Sequence, residues 1–232
     1  MKKLIAFSVK DCLGDFSHFN NFDTIFKFFS QTDITGNMTG HTLATIKTIE
    51  NIFFPLIQKS IRPDLVQLLQ SYKKIQQDMD IILYANNESP WLIGLISKYL
   101  SKKDINIKNA YVFQDHTDKN IEYPSFWPIT KTESHIKNFN FIREKHPERR
   151  IIAFDIQEYD FGKTLQKRLG DIFIKVDKAP VSRILHKDCL DAWITFQSHV
   201  GASGMRTDDQ FFDIRKSDIM LLTLEQLKQV EE

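Results

Sequence analysis

Five short apolar runs punctuate the chain: Leu4–Val9, Ile81–Tyr84, Ala110–Phe113, Ile151–Phe154 and Ile172–Val176. Each is rich in Ile, Val or Phe and bounded by polar residues, the pattern of strands buried on both faces. Between them, apolar residues recur at three- and four-residue spacing. Thr42–Lys59 carries Leu43, Ile46, Ile49, Ile52, Phe53 and Leu56 in that rhythm and predicts a helix. Pro63 opens a second helix over Asp64–Tyr72, because proline at a first helical turn sacrifices no hydrogen bond. Trp91–Leu100 predicts a third helix, and Ser134–Lys145 a fourth with a serine at its start. Phe161–Leu169 predicts a fifth that stops at Gly170. Strands alternating with helices of this length pair in parallel through right-handed crossovers. The fold class is therefore α/β: a three-layer α/β/α, Rossmann-like sandwich around a central parallel sheet.

Two segments break the alternation. Gly14–Gly40 holds Phe16, Phe19, Phe22, Phe26, Phe28 and Phe29, then a polar stretch from Gln31. It predicts a small cap or flap after the first strand, and with the helix that follows the insertion spans 14–59. The helical spacing of Phe19, Phe22, Phe26 and Phe29 within the Phe-rich 16–29 stretch points to core packing. The second segment, 178–209, is expected to be an irregular insertion ahead of a terminal Phe211–Leu224 region. Neither has linker composition, which leaves 1–13 and 60–232 as the core.

Charge removes some partners. The 232 residues carry 31 basic and 30 acidic side chains, so no electrostatic reason exists to expect nucleic acid or an anionic membrane surface. The apolar stretch after Lys2 and Lys3 is too short for a signal peptide, and no run reaches the roughly 20 residues that span a bilayer. Two cysteines, Cys12 and Cys189, make no disulfide framework. A soluble cytoplasmic protein is expected.

In a parallel sheet the ligand crevice lies beyond the carboxyl ends of the strands. The residues just after Phe7, Tyr84 and Phe154 are thus the first candidates, and they carry a resemblance. Leu4-Ile-Ala-Phe-Ser-Val-Lys-Asp-Cys-Leu13 is similar to the first motif of the haloacid dehalogenase (HAD) superfamily, a strand ending in Asp-x-Asp-x-Thr-Leu. Arg62-Pro-Asp, a helix and then Asp80–Asn86 resemble the stretch into the second motif. The likeness there is to phosphatases of the polymerase carboxy-terminal domain (NLI-interacting-factor-like phosphatases) and their nuclear-envelope relatives. Lys131-Thr-Glu-Ser, ahead of a helix, resembles the third motif, and Arg150–Asp155 the fourth.

The resemblance implies a HAD-like core, but its chemistry is depleted. The position of the nucleophilic Asp is Ser8, that of the acid/base Asp is Lys10, and that of the phosphoryl-holding Thr is Ala85. Lys131 and Asp155 keep their type, and Ile156 stands where a second carboxylate often sits. A carboxylate attacks phosphorus already ionised, whereas a serine needs a base. A lone matched carboxylate is also a poor Mg²⁺ site. The expectation is a pseudophosphatase with no cofactor, its crevice formed by Ser8, Lys10, Asn86, Lys131 and Asp155, with a Lys10–Asp155 pair replacing the metal. It would act by binding, scaffolding or regulation, with a protein partner or a small phosphorylated ligand.

One alternative is an active Mg²⁺-dependent phosphomonoester hydrolase using Asp11, which a shifted reading of Asp11-Cys-Leu-Gly-Asp15 supplies, or Asp155 as metal ligand beside Lys131. Another is a lyase or transferase that keeps Lys131 and Asp155 for small-ligand binding. Other features carry less. Asn86, Asn87 and Glu88 suit a strand-to-helix turn, and Tyr159 and Asp160 fall near the crevice. His186 and Cys189 lack a second ligand pair for zinc. Gly201–Gly204 before Arg206 lacks the Gly-Lys-Thr/Ser ending of a phosphate loop.

Overall fold

The computed structural model describes residues 2–22, 25–26, 40–75, 79–86, 88–113, 127–132, 139–156 and 170–202. The expected helix Phe161–Leu169, the polar stretch 31–39, Tyr159, Asp160, Asn87, Arg206 and Phe211–Leu224 lie outside them. Six strands form one sheet: β1 (Lys3–Ser8), β2 (Met79–Asn86), β3 (Ile107–Phe113), β4 (Ile129–Thr132), β5 (Arg150–Asp155) and β6 (Ile172–Lys175). The helices are α1 (Gly40–Ser60), α2 (Pro63–Ile75), α3 (Pro90–Ser101), α4 (Phe139–Lys145) and α5 (His186–Ala202).

All strand pairs are parallel, in the order β4-β3-β2-β1-β5-β6. The five strands expected from the apolar runs are present. β4 is an addition: its four residues, Ile-Thr-Lys-Thr, are too few and too polar to register as a buried run. Lys131, expected ahead of a helix, lies inside this edge strand.

Register fixes the two faces, since alternate side chains point to opposite sides. One face gathers Leu4, Ala6, Ile82, Tyr84, Tyr111, Phe113, Ile151 and Ala153 beneath Phe139 and Ile142 of α4. The other carries Ile5, Phe7, Ile152 and Phe154, with α2 alongside. Phe7 and Phe154 are register partners, and their rings stack at 4.8 Å. With helices on both faces, the three-layer α/β/α sandwich is as expected.

The described phenylalanines after β1 are core, while Phe28 and Phe29 lie outside the described residues. Phe19, Phe22 and Phe26 are buried and surround Phe53 of α1, with ring centroids 6.1, 5.4 and 4.9 Å away. Truncating such a ring to alanine costs about 3–5 kcal/mol. α1 also meets α3 through Phe54 and Tyr99, 5.7 Å apart. Close packing reaches its limit at Gly94 of α3, where a Cβ would fall 1.7 Å from the Trp127 ring.

The chain divides into two compact units, Met1–Arg183 and Ile184–Glu232. The sheet belongs to the first. Within the second, the segment expected to be irregular carries the 17-residue α5, in which Trp193 and Phe196 meet edge-on at 5.9 Å. No helix among the described residues is long and apolar enough to cross a membrane.

Candidate functional site

The chain builds β1, β2, β3 and β4 outward in one direction, then returns to place β5 on the other side of β1. That reversal is a topological switch point, and the crevice beyond the carboxyl ends of β1 and β5 is where such a sheet offers a ligand site. Ser8 and Asp155 end these two strands.

The exit from β1 is a tight loop. The Leu13 N–H donates to the carbonyls of both Ser8 and Val9 at 3.1 Å, and the Asp11 N–H to Gly14 at 2.9 Å. Asp11 has φ of 61°, the left-handed region that Asp enters more readily than bulky residues. Gly14 is required by space, since a Cβ there would lie 2.3 Å from the Ser60 carbonyl oxygen. Arg62 holds this loop from outside. Its Nε donates to the Cys12 carbonyl at 2.7 Å and its guanidinium also donates to the Asp177 carbonyl. The loop at the end of β1 is thereby tied to the segment leaving β6.

Asp155 is fully buried, as is Ser8. Asp155 Oδ1 accepts the Ile156 N–H at 2.7 Å. The Tyr84 hydroxyl donates to the Phe154 carbonyl at 2.7 Å and lies 3.1 Å from Asp155 Oδ2, so one proton serves two acceptors. Register explains the meeting: Tyr84 pairs with Ser8, and Asp155 is one step beyond the Phe7–Phe154 pair. All three share one face. In this setting Asp155 is an enclosed hydrogen-bond acceptor.

Lys10 and Lys131 are not gathered around it. Lys10 is exposed, and among the described residues it makes no ion pair with Asp155, so the expected Lys–Asp pair is not formed. The reason is the loop geometry: Lys10 lies beyond the strand end, its carbonyl accepting the Cys12 N–H at 2.7 Å. Ala85 is buried and Asn86 half-buried at the end of β2. Lys131 pairs with Val112, which pairs with Ala85, so alternation puts it on the face opposite Asp155. Four strand spacings of about 4.8 Å separate β4 from β5, roughly 19 Å in all. A lysine side chain does not bridge that gap.

Two carboxylates flank the loop instead. Asp11 Oδ1 lies 3.4 Å from Lys178 Nζ, and its carbonyl accepts the Ala179 N–H at 2.5 Å. Asp15 accepts N–H bonds from Ser17 at 3.1 Å and Ser182 at 2.9 Å. Partial burial raises the Asp15 pKa, but these hydrogen bonds, with the His18 charge, outweigh it and hold the carboxyl below its ordinary value.

A Mg²⁺ centre needs several oxygen ligands converging on one point. Among the described residues no three His, Cys, Asp or Glu side chains do so. Asp155 is enclosed by Tyr84, and Asp11 faces Lys178. These residues do not fit a metal centre of that kind. Cys189 likewise belongs to no such group, and the His186 side chain lies outside the described ones.

Tyr84, Arg62 and Asp15 shape this edge and escaped the sequence reading as site residues. Tyr84 could have been found from register alone, because it is level with Ser8 and shares the face of Asp155. Arg62, and Asp15 through Ser182, act on backbone groups distant in sequence, which no local pattern encodes. Comparison with protein-family models, curated proteins and solved structures gives no match for this chain.

Proposed function

We propose that this chain is a HAD-like protein without phosphoryl-transfer chemistry, a pseudophosphatase that acts by binding. The observation that carries the reading is that Ser8 and Asp155, both fully buried, end the neighbouring strands β1 and β5 at the switch point. A fully buried hydroxyl occupies the position of the nucleophile in the resemblance, and the one matched acid is enclosed by Tyr84. Serine attack requires a base within hydrogen-bond reach, and the lysine of the matched motif is exposed beyond the strand. The distance of Lys131 from Asp155 supports the same reading, since the two matched residues cannot act on one phosphoryl group. The crevice keeps its place in the fold, and its accessible part is Lys10 and Asp11 with the segment after β6. A protein partner or a small phosphorylated ligand would be held there.

The test is hydrolysis of p-nitrophenyl phosphate with and without Mg²⁺. The expected result is no metal-dependent turnover above buffer. Turnover that is abolished by Asp155→Asn or by Asp11→Asn would overturn the proposal in favour of an active phosphatase. Binding is tested by thermal shift against phosphorylated metabolites, where a ligand at 100 times its Kd adds about 2.7 kcal/mol of stability.

A further inference from the structure

On the face of the sheet opposite Asp155 a cavity of about 830 Å³ lies between the strands and α2. That is within the range of ligand pockets, roughly 300–1,000 Å³. Its floor is Phe7, Ile152, Phe154 and Ile174, and its wall is α2. Several apolar side chains here meet water: Leu68 is 49% exposed, Tyr72 42% and Ile174 37%. All three line this one cavity.

The groove has unequal ends. α2 starts at the carboxyl edge of the sheet, where the Arg62 N–H donates to Leu13, and runs back toward the amino edge, where Lys3 pairs with Met79. Thirteen helical residues span about 20 Å. Arg62 at the first end is bonded to the Cys12 and Asp177 carbonyls, and Asp64 lines the cavity beside it. Lys3 at the far end also lines the cavity, and takes part in no ion pair among the described residues. The groove thus combines a long apolar floor with the Lys3 ammonium at its amino end.

We propose that this groove binds a fatty-acid-like ligand, an unbranched apolar tail with a carboxylate head. The tail lies along the Phe7–Phe154–Ile174 floor and the carboxylate meets Lys3. The site is independent of the reading of Ser8 and Asp155, so each stands or fails alone.

The experiment is calorimetric titration of the full chain with laurate and with dodecyltrimethylammonium, both below their micellar concentrations. The expected result is saturable one-to-one binding of laurate, about tenfold tighter than the cationic amphiphile, the worth of one charge-assisted contact. Lys3→Glu reverses the preference. Ile174→Lys, a change at a partly exposed edge position, weakens binding of both tails while thermal unfolding shows the fold retained. Absence of saturable laurate binding would overturn the proposal and leave the groove to the chain's own residues. So would equal affinity for the two head groups, or binding only to phosphatidylserine vesicles, which would indicate a membrane surface.

Discussion

Removing the Tyr84 hydroxyl is the sharpest perturbation of the β1–β5 edge. Tyr84→Phe keeps the ring, which packs edge-on against Phe139 at 4.9 Å, and deletes only the group that serves Phe154 O and Asp155 Oδ2. Tyr84 and Asp155 are both fully buried, so water does not replace the lost donor without a structural opening. A buried acceptor deprived of its partner costs about 1–3 kcal/mol, and a bond to a carboxylate sits in the upper half of that range. The expected destabilisation is about 2–3 kcal/mol. For a chain of this size each kcal/mol moves Tm by roughly 2–4 °C, so Tm falls by about 5–10 °C. Urea unfolding followed by fluorescence and circular dichroism measures it, with the m-value unchanged. Combining the change with Asp155→Asn in a double-mutant cycle isolates the pair, and coupling above about 0.5 kcal/mol is expected. A Tyr84→Phe protein within about 0.5 kcal/mol of the parent would refute the reasoning, because surface-like tolerance is incompatible with a buried shared proton.

Other outcomes follow from the same structure. Gly94→Ala places a methyl on the Trp127 ring; the gain in helix propensity of up to about 1 kcal/mol is exceeded by overpacking, and thermal unfolding shows net destabilisation. His146, buried and 2.8 Å from the Tyr111 hydroxyl, has its pKa lowered by burial and by the nearby Lys108 and Arg149, against the opposing pull of Glu148 and Asp80. The unfolded chain therefore binds the proton first, and stability falls as pH drops below about 6.5 toward the folded value. Denaturation curves across that window show the loss, and His146→Leu flattens it. Asp15 is also depressed, so its contribution is complete above 3.8 and is lost as pH falls further; Asp15→Asn removes that part of the acid limb.

The sheet was legible because the buried strands β1, β2, β3 and β5 leave uninterrupted apolar runs; β6 keeps such a run although it is an exposed edge strand. β4 was not, since an edge strand with Thr130, Lys131 and Thr132 needs no apolar run to pair with β3. Phe19, Phe22 and Phe26 declared their packing through helical spacing, and Phe53 received them. The strand ends at Ser8 and Asp155 were also legible. Which side chains meet there was not, because that depends on register and on strand order across the sheet. Lys131 looks close to a site in sequence and stands four strands away from β5. Tyr84 carries no polar signature within its apolar run, yet register sets it against Asp155. The tie from Arg62 to Cys12 and Asp177 joins positions 50 and 115 residues apart, beyond the reach of any local pattern.

The most direct measurement is intact-protein and peptide mass spectrometry after incubation with acetyl phosphate and Mg²⁺. The account predicts an unmodified chain, with Asp11 and Asp155 recovered free of adduct. A phosphoryl group on either aspartate, lost on treatment with hydroxylamine, would contradict it.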